Sequence, residues 1–230
     1  MLKLTIVESP LQPDKKFLAE VSDILETACS EYQDFLDSND DQDDLDELVD
    51  ILQAHTDLDS LDITWFIGAT NCYAVDWYIQ AAQVHGNGSM DIIIDPDSTI
   101  GYWGPKTFKS SVLKTLAHET IHLAQRDRMG AEKYNSLPSG YQLGLRLQKK
   151  TGKERDLIRT YLRDPHELMA HGHDLALEIK ASSNPDQALR NPERFRNELP
   201  AYDKHRAIFP PNAKQLKRLL NYTARYIQNG

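Results

Sequence analysis

The sequence is poor in cysteine and has no long apolar run. Its two cysteines, Cys29 and Cys72, stand far apart and outside any Cys-x-x-Cys pattern, which argues against a disulfide framework or a thiolate metal site. No stretch approaches the roughly 20 apolar residues of a membrane span, and the N-terminal run is too short for a signal peptide. We therefore expect no membrane contact and a reducing, cytoplasmic compartment, although a virion-associated protein would also fit.

Charge is distributed unevenly along the 230 residues, whose formal net charge is −9. Residues 1–100 contain 22 acidic and 3 basic residues, whereas residues 101–230 contain 13 acidic and 23 basic ones. Such asymmetry is more typical of solvated faces, or of halves that attract each other, than of a nucleic-acid-binding surface. Nucleic acid is thus a possible but less favoured partner, and the oligomeric state cannot be read from the sequence.

The segment KTLAHETIHLAQ (114–125) contains His118, Glu119 and His122. On an α-helix, residues four apart lie one above the other, so the two imidazoles can bind one zinc ion. Glu119 is rotated by about 100° from His118 and can act as a general base on a water molecule held by the metal. The spacing predicts His118 and His122 as zinc ligands and Glu119 as the catalytic residue.

The remaining patterns predict an α+β fold in a single domain, 1–230. Its acidic part (1–104) would contain a small mixed sheet, and its basic part (105–230) the HExxH helix and further helices. Expected elements are a strand at 2–8, a long helix after Pro13 and a short helix after the acidic run 37–50. The turn signal Asn87-Gly88 predicts a hairpin at 72–95, with a first strand at 72–80 and Met90–Asp95 as the second.

Capping and breaking residues set the expected bounds of the helices. Thr107 or Ser110 would cap the HExxH helix, and Gly130 would end it. The rest of the chain should be mainly helical, with a segment near 153–163, one that begins at Asp164-Pro165, and a basic amphipathic helix near 212–228.

A hairpin strand followed by an HExxH helix resembles the zincin metallopeptidases, in which an edge strand above the helix binds an extended substrate. The resemblance implies a zinc-dependent endopeptidase whose polypeptide substrate would pair with Met90–Asp95. Metzincins are excluded, because Gln125 and Arg128 replace the glycine and the last histidine of their longer motif. YLRDPHELMA (161–170) also resembles, weakly, a Tyr…Pro-x-Glu-x-x-Ala pattern of phage and bacterial HExxH proteins.

Among zincins the gluzincins take a third ligand from a later helix, and here Glu167 matches that position. The residue four further on is His171 rather than the usual aspartate, so Asp174 would orient a zinc histidine. His171 is the alternative ligand. Glu167 could instead complete a capping box with Asp164, because it lies three residues after that N-cap candidate.

Two other functions remain open at this stage. Proteases that clear DNA–protein crosslinks use HExxH with a third histidine, which here would be His171. A zinc site without catalytic activity, in a structural or virion protein, is the second. The zinc endopeptidase is the favoured function of the three.

Overall fold

The computed structural model describes residues 10–38, 45–58, 61–67, 80–84, 89–94 and 104–229. The strand predicted at 2–8 lies outside these residues, as does most of the first hairpin strand predicted at 72–80. The described chain forms two compact units. The first comprises residues 13–135, and the second comprises residues 136–229 together with residues 10–12.

In the first unit, helix α1 (Lys15–Ser38) confirms the long helix predicted after Pro13. The Asp14 carboxylate caps it by accepting the N–H groups of Lys16 and Phe17, each at 3.0 Å. Apolar residues recur every three or four positions and face the core: Val21, Ile24, Leu25, Ala28, Tyr32 and Leu36. The short helix predicted after the acidic run 37–50 begins earlier, inside that run: helix α2 (Leu45–Leu58) includes residues 45–50 and packs against α1.

Three strands, β1 (Ile63–Ile67), β2 (Gln80–Val84) and β3 (Met90–Ile94), form a mixed sheet in the order β1-β3-β2. The predicted antiparallel pairing is confirmed, since β2 and β3 are antiparallel with Val84 opposite Met90. Strand β2 shares only Gln80 with the first strand predicted at 72–80. The edge position expected for Met90–Asp95 is wrong, because β3 also pairs in parallel with β1. Among the described strands, β2 is the edge strand that neighbours the HExxH helix.

Helix α3 (Pro105–Met129) carries the HExxH motif and belongs to the same unit as the sheet. Capping by Thr107 or Ser110 was wrong, because the helix begins earlier, at Pro105, after Gly104 with φ 76°. Proline suits the first turn because it needs no N–H partner there. The predicted end is confirmed: the N–H of Gly130 donates to the Arg126 carbonyl at 2.9 Å.

The core of the first unit lies between its helices and its sheet. Ile63, Trp65, Ile92 and Ile94 of the strands are buried against α1, α2 and the N-terminal half of α3. A short helix, α4 (Ala131–Ser136), follows α3 and contains the boundary between the units. Each unit has its own hydrophobic core. The single domain expected from the sequence stays a prediction.

The second unit is entirely helical in its described residues, as predicted for this part of the chain. Its helices are α5 (Gly140–Thr151), α6 (Glu154–Tyr161), α7 (Pro165–Ala181), α8 (Pro185–Arg190), a 3₁₀ helix (Pro192–Glu198), α9 (Pro200–Ile208) and α10 (Lys214–Asn229). The architecture is therefore α+β. In the described part of the chain, no helix is long and apolar enough to cross a membrane.

Helices α7 and α10 pack closely at Gly172. A Cβ atom added there would lie 2.6 Å from the Cβ of Tyr222 and 3.4 Å from the N of Thr223. Such distances leave no room for a methyl group unless the helices move apart. The glycine is therefore what lets α7 pack its buried face against α10.

Gly172→Ala should lower the free energy of unfolding by about 1–3 kcal/mol, because the added methyl group overpacks the α7–α10 contact. Urea denaturation followed by circular dichroism measures this change. Lys180→Ala on the exposed face of the same helix is the control and should stay within about 0.5 kcal/mol of the native protein. Equal stabilities of the two variants would contradict the packing described for Gly172.

Candidate metal centre

The three residues of the HExxH motif lie together on α3. The ring centroids of His118 and His122 are 5.1 Å apart, and the ring planes make an angle of 67°. One ligand atom from each imidazole and one carboxylate oxygen of Glu119 all lie within 4.8 Å of one another. Both histidines are buried and Glu119 is half-buried. Within the first unit, these three side chains could hold a metal ion.

The orientation of His122 is fixed by a residue on the next turn. Its Nδ1 lies 2.9 Å from Oε1 of Gln125, and the Gln125 side chain is itself buried. Because the amide oxygen is an acceptor, Nδ1 carries the proton and Nε2 keeps its lone pair. Histidines that bind metals commonly donate their second N–H in this way, and the contact fixes both tautomer and ring direction.

Helix α3 is held in place on more than one side. Phe108, Val112 and Leu116, each four residues apart, are fully buried in the core of the first unit. Within the motif itself, the Thr120 hydroxyl donates to the Ala117 carbonyl at 3.0 Å and accepts the N–H of Asp14 at 3.4 Å. The start of α1 thus contacts the middle of HETIH, which keeps the histidines on a rigid element.

The other predicted site residues lie on α7, in the second unit. Asp164 caps this helix by accepting the N–H of His166 at 2.9 Å. Its own N–H donates to the Tyr161 carbonyl at 3.0 Å, so capping does not depend on a reciprocal bond from Glu167. The structure does not test the assignment of Glu167 as a ligand, which stays a prediction.

The sequence suggested that Asp174 orients a histidine. In the structure Asp174 contacts a histidine of its own helix, His171. Its Oδ2 lies 3.3 Å from Nδ1 of His171, and both side chains are 1% exposed. Beside this pair, the fully buried His205 of α9 has its ring centroid 5.1 Å from that of His171. Burial lowers the pKa of His205 to about 4, so the imidazole is neutral at physiological pH.

The free thiol in the described chain is not a candidate nucleophile. Cys29 is 5% exposed in the core of the first unit. Burial raises the pKa of its thiol to about 11, so hardly any reactive thiolate exists near neutral pH. The other cysteine, Cys72, lies outside the described residues.

Sequence reasoning found the three motif residues but missed the role of Gln125. It used this residue only to exclude the metzincin motif. The available signal was its position three residues after His122, which places it on the same helix face.

Comparisons with known proteins gave no match: no family model fits the chain, and neither the curated proteins nor the solved structures contain one that is significantly similar to it.

The zinc binding expected from the sequence should be about 10- to 100-fold weaker in Gln125→Ala, because His122 loses the acceptor that fixes its tautomer. Competition between the apoprotein and a chromophoric chelator measures the affinity. Asp127→Asn, an exposed substitution two residues further on, is the control. Equal zinc affinity in the two variants would show that the contact between His122 and Gln125 has no part in metal binding.

Proposed function

We propose that this protein is a zinc-dependent metalloendopeptidase of zincin-like fold, with His118 and His122 as zinc ligands and Glu119 as the general base. The observation that carries the proposal is the buried pair of imidazoles with Glu119 beside it, all within 4.8 Å. The Gln125 contact supports it further, because a proton on Nδ1 of His122 leaves the lone pair of the ring on Nε2, the atom that would bind the metal. Two imidazole donors four residues apart on a helix suit zinc.

A bound zinc ion would polarise the scissile carbonyl and lower the pKa of a water molecule to about 7. Glu119 takes a proton from the attacking water while the water oxygen forms a bond to the carbonyl carbon. The same carboxyl group then delivers that proton to the leaving nitrogen as the C–N bond breaks. Half-burial suits Glu119 for this role, because solvent can reach the carboxylate while its position on α3 is fixed.

The substrate would be a polypeptide in an extended conformation. Because β3 is paired on both sides, β2 replaces it as the strand to which a peptide would add. Two observations support β2: it is an edge strand among those described, and it neighbours α3. Main-chain hydrogen bonds to such an edge give affinity without strong side-chain specificity.

Glu119→Gln should keep zinc and reduce peptide cleavage by at least about 10²-fold, because the amide cannot accept and return the proton. Zinc content by mass spectrometry and cleavage of an unstructured protein substrate are measured on the same samples. Glu132→Gln, an exposed substitution on α4, is the matched control. Undiminished hydrolysis by Glu119→Gln would exclude the assigned base.

N-methylation of alternate amides of a cleaved peptide should slow cleavage by roughly 2- to 10-fold for each hydrogen bond lost to β2. Methylation of the intervening amides, which point away from the strand, is the control. The ratio of kcat/KM for the two methylated series measures the effect. Equal rates would contradict strand addition without affecting the assignment of Glu119.

Zinc binding, peptide cleavage and DNA binding, measured on the same purified protein, distinguish the two alternative functions. A structural zinc protein would bind zinc and lose stability on chelation, yet cleave no peptide. A protease of DNA–protein crosslinks would bind DNA with steep salt dependence. The position of Glu119 favours the endopeptidase over a structural site, because a structural site needs no base.

A further inference from the structure

Helix α5 of the second unit packs through glycines rather than through apolar side chains. Its buried residues are Gly140 and Gly144, which lie four positions apart on one face of the helix. A Cβ atom added at Gly144 would lie 2.7 Å from the carbonyl oxygen of Leu157, and one added at Gly140 would lie 2.8 Å from the Cβ of Asp164. The two glycines therefore let the backbone of α5 approach α6 and the start of α7 closely.

The leucines of α5 are left at the surface by this mode of packing. Leu143 and Leu147 are 42% and 40% exposed, and their four-residue spacing places them side by side as an apolar strip. Leu137 and Tyr141 are exposed nearby. Half of the eight exposed large apolar side chains in the described part of the chain thus fall within residues 137–147. Scattered exposed leucines are ordinary, but such a cluster indicates a contact surface.

Basic side chains lie beside the leucine strip. Residues 140–163 contain seven basic and two acidic residues. Arg146 and Lys150 each follow one of the two leucines by three positions, so they are its neighbours on the helix surface. On α6, Arg155 and Arg159 are exposed and again four residues apart. Leu143, Arg146, Leu147 and Lys150, together with these two arginines, are called the basic leucine surface below.

The positive charge of this region is not neutralised by ion pairs within the described residues. The exposed basic side chains for which this holds are Arg146, Lys149, Lys150, Lys153, Arg155 and Arg159. Elsewhere in the same unit, by contrast, Arg196 contacts Asp203, and Arg206 contacts Glu193. The helix dipole favours the two lysines in the last turn of α5, but it does not account for the arginines or for the leucines beside them.

We propose that the basic leucine surface binds an acidic helical segment of a partner protein. Apolar side chains of the segment would pack on Leu143 and Leu147, and carboxylates at the sides of the segment would contact Arg146, Lys150 and the arginines of α6. An amphipathic helix presents both kinds of group at the spacing that another helix surface requires. The charge of the surface thus selects an acidic partner, and the leucine strip selects a polypeptide.

The leucine strip favours a polypeptide over two other anionic partners. A nucleic acid would satisfy the basic side chains, but interfaces with DNA are more polar than this surface and would place the leucines against phosphate and sugar. A helix that lies on a membrane needs a wide apolar face. On α5 the sector beside the leucines is closed by the packing at Gly140 and Gly144, so a strip of two leucines is what remains.

Fluorescence anisotropy of a labelled synthetic peptide tests the proposal on the native full-length protein. The probe is a peptide of about 18 residues, or five helical turns, with leucines three and four residues apart and glutamates on both sides of them. In one control peptide alanines replace the leucines, and in the other glutamines replace the glutamates. The protein should bind the probe more tightly than either control, and added salt should weaken binding because the charges are exposed.

Charge reversal on α5 tests the electrostatic part. The double variant Arg146→Glu, Lys150→Glu should bind the probe at least about tenfold more weakly, because like charges would then face each other. The double variant Lys217→Glu, Arg218→Glu, on the exposed side of α10, changes the net charge equally and is the control. It should keep nearly native affinity.

Replacement of the leucines tests the apolar part. The double variant Leu143→Gln, Leu147→Gln should bind the probe about tenfold more weakly, because it loses apolar area that binding would bury. Leu177→Gln on α7 removes a leucine that is 39% exposed outside this surface and should keep native affinity. Circular dichroism checks that each variant is folded, as expected for substitutions at exposed positions.

Native affinity in both folded α5 double variants would overturn the proposal, and so would a probe that does not bind or that binds no better than its control peptides. Anionic phospholipid vesicles and single-stranded DNA are tested with the same proteins. Tighter binding of either, lost in the α5 variants, would also overturn it. Because the surface contains no residue of the metal centre, the probe should bind equally well before and after zinc chelation. Its failure would leave the proposed function standing.

Discussion

Two imidazoles can share one metal ion only when both rings are held at a fixed distance and angle. On α3 the four-residue spacing of His118 and His122 sets the distance, and the buried Gln125 sets the direction of the second ring. Rigidity comes from the core, since the helix packs through Phe108, Val112 and Leu116 against the rest of the first unit. The proposed chemistry depends on this geometry, because Glu119 serves as a base only beside a fixed metal.

Features set by local sequence could be predicted well. Helix α3 ends at Gly130 and α7 begins after Asp164, as expected. Such bounds can be predicted because the terminal N–H and carbonyl groups of a helix lack partners within it, and few residues can satisfy them. The hairpin predicted from Asn87-Gly88 likewise agrees with the antiparallel pairing of β2 with β3, although the turn itself lies outside the described residues. The HExxH helix belongs to this class too, since a single stretch of chain fixes its site geometry.

Features that depend on distant pairing could not be predicted. The parallel pairing of β1 with β3 places Met90–Ile94 in the middle of the sheet, and nothing within the strand itself indicates a second neighbour. The contact between Asp174 and His171 was predicted only in part. The sequence suggested that Asp174 orients a histidine, but it did not indicate which histidine. The contact between Gln125 and His122 was not predicted, because no sequence motif marks a single glutamine as the hydrogen-bond partner of a histidine.

The most direct test of the account is peptide hydrolysis in ¹⁸O-labelled water by the apoprotein and the zinc-loaded protein, followed by mass spectrometry of the products. If the protein hydrolyses peptides at a zinc site, new C-terminal carboxylates that carry solvent ¹⁸O should form with zinc present and should not form after chelation. A zinc-loaded protein that binds its metal tightly but forms no new termini from unfolded polypeptides would contradict it.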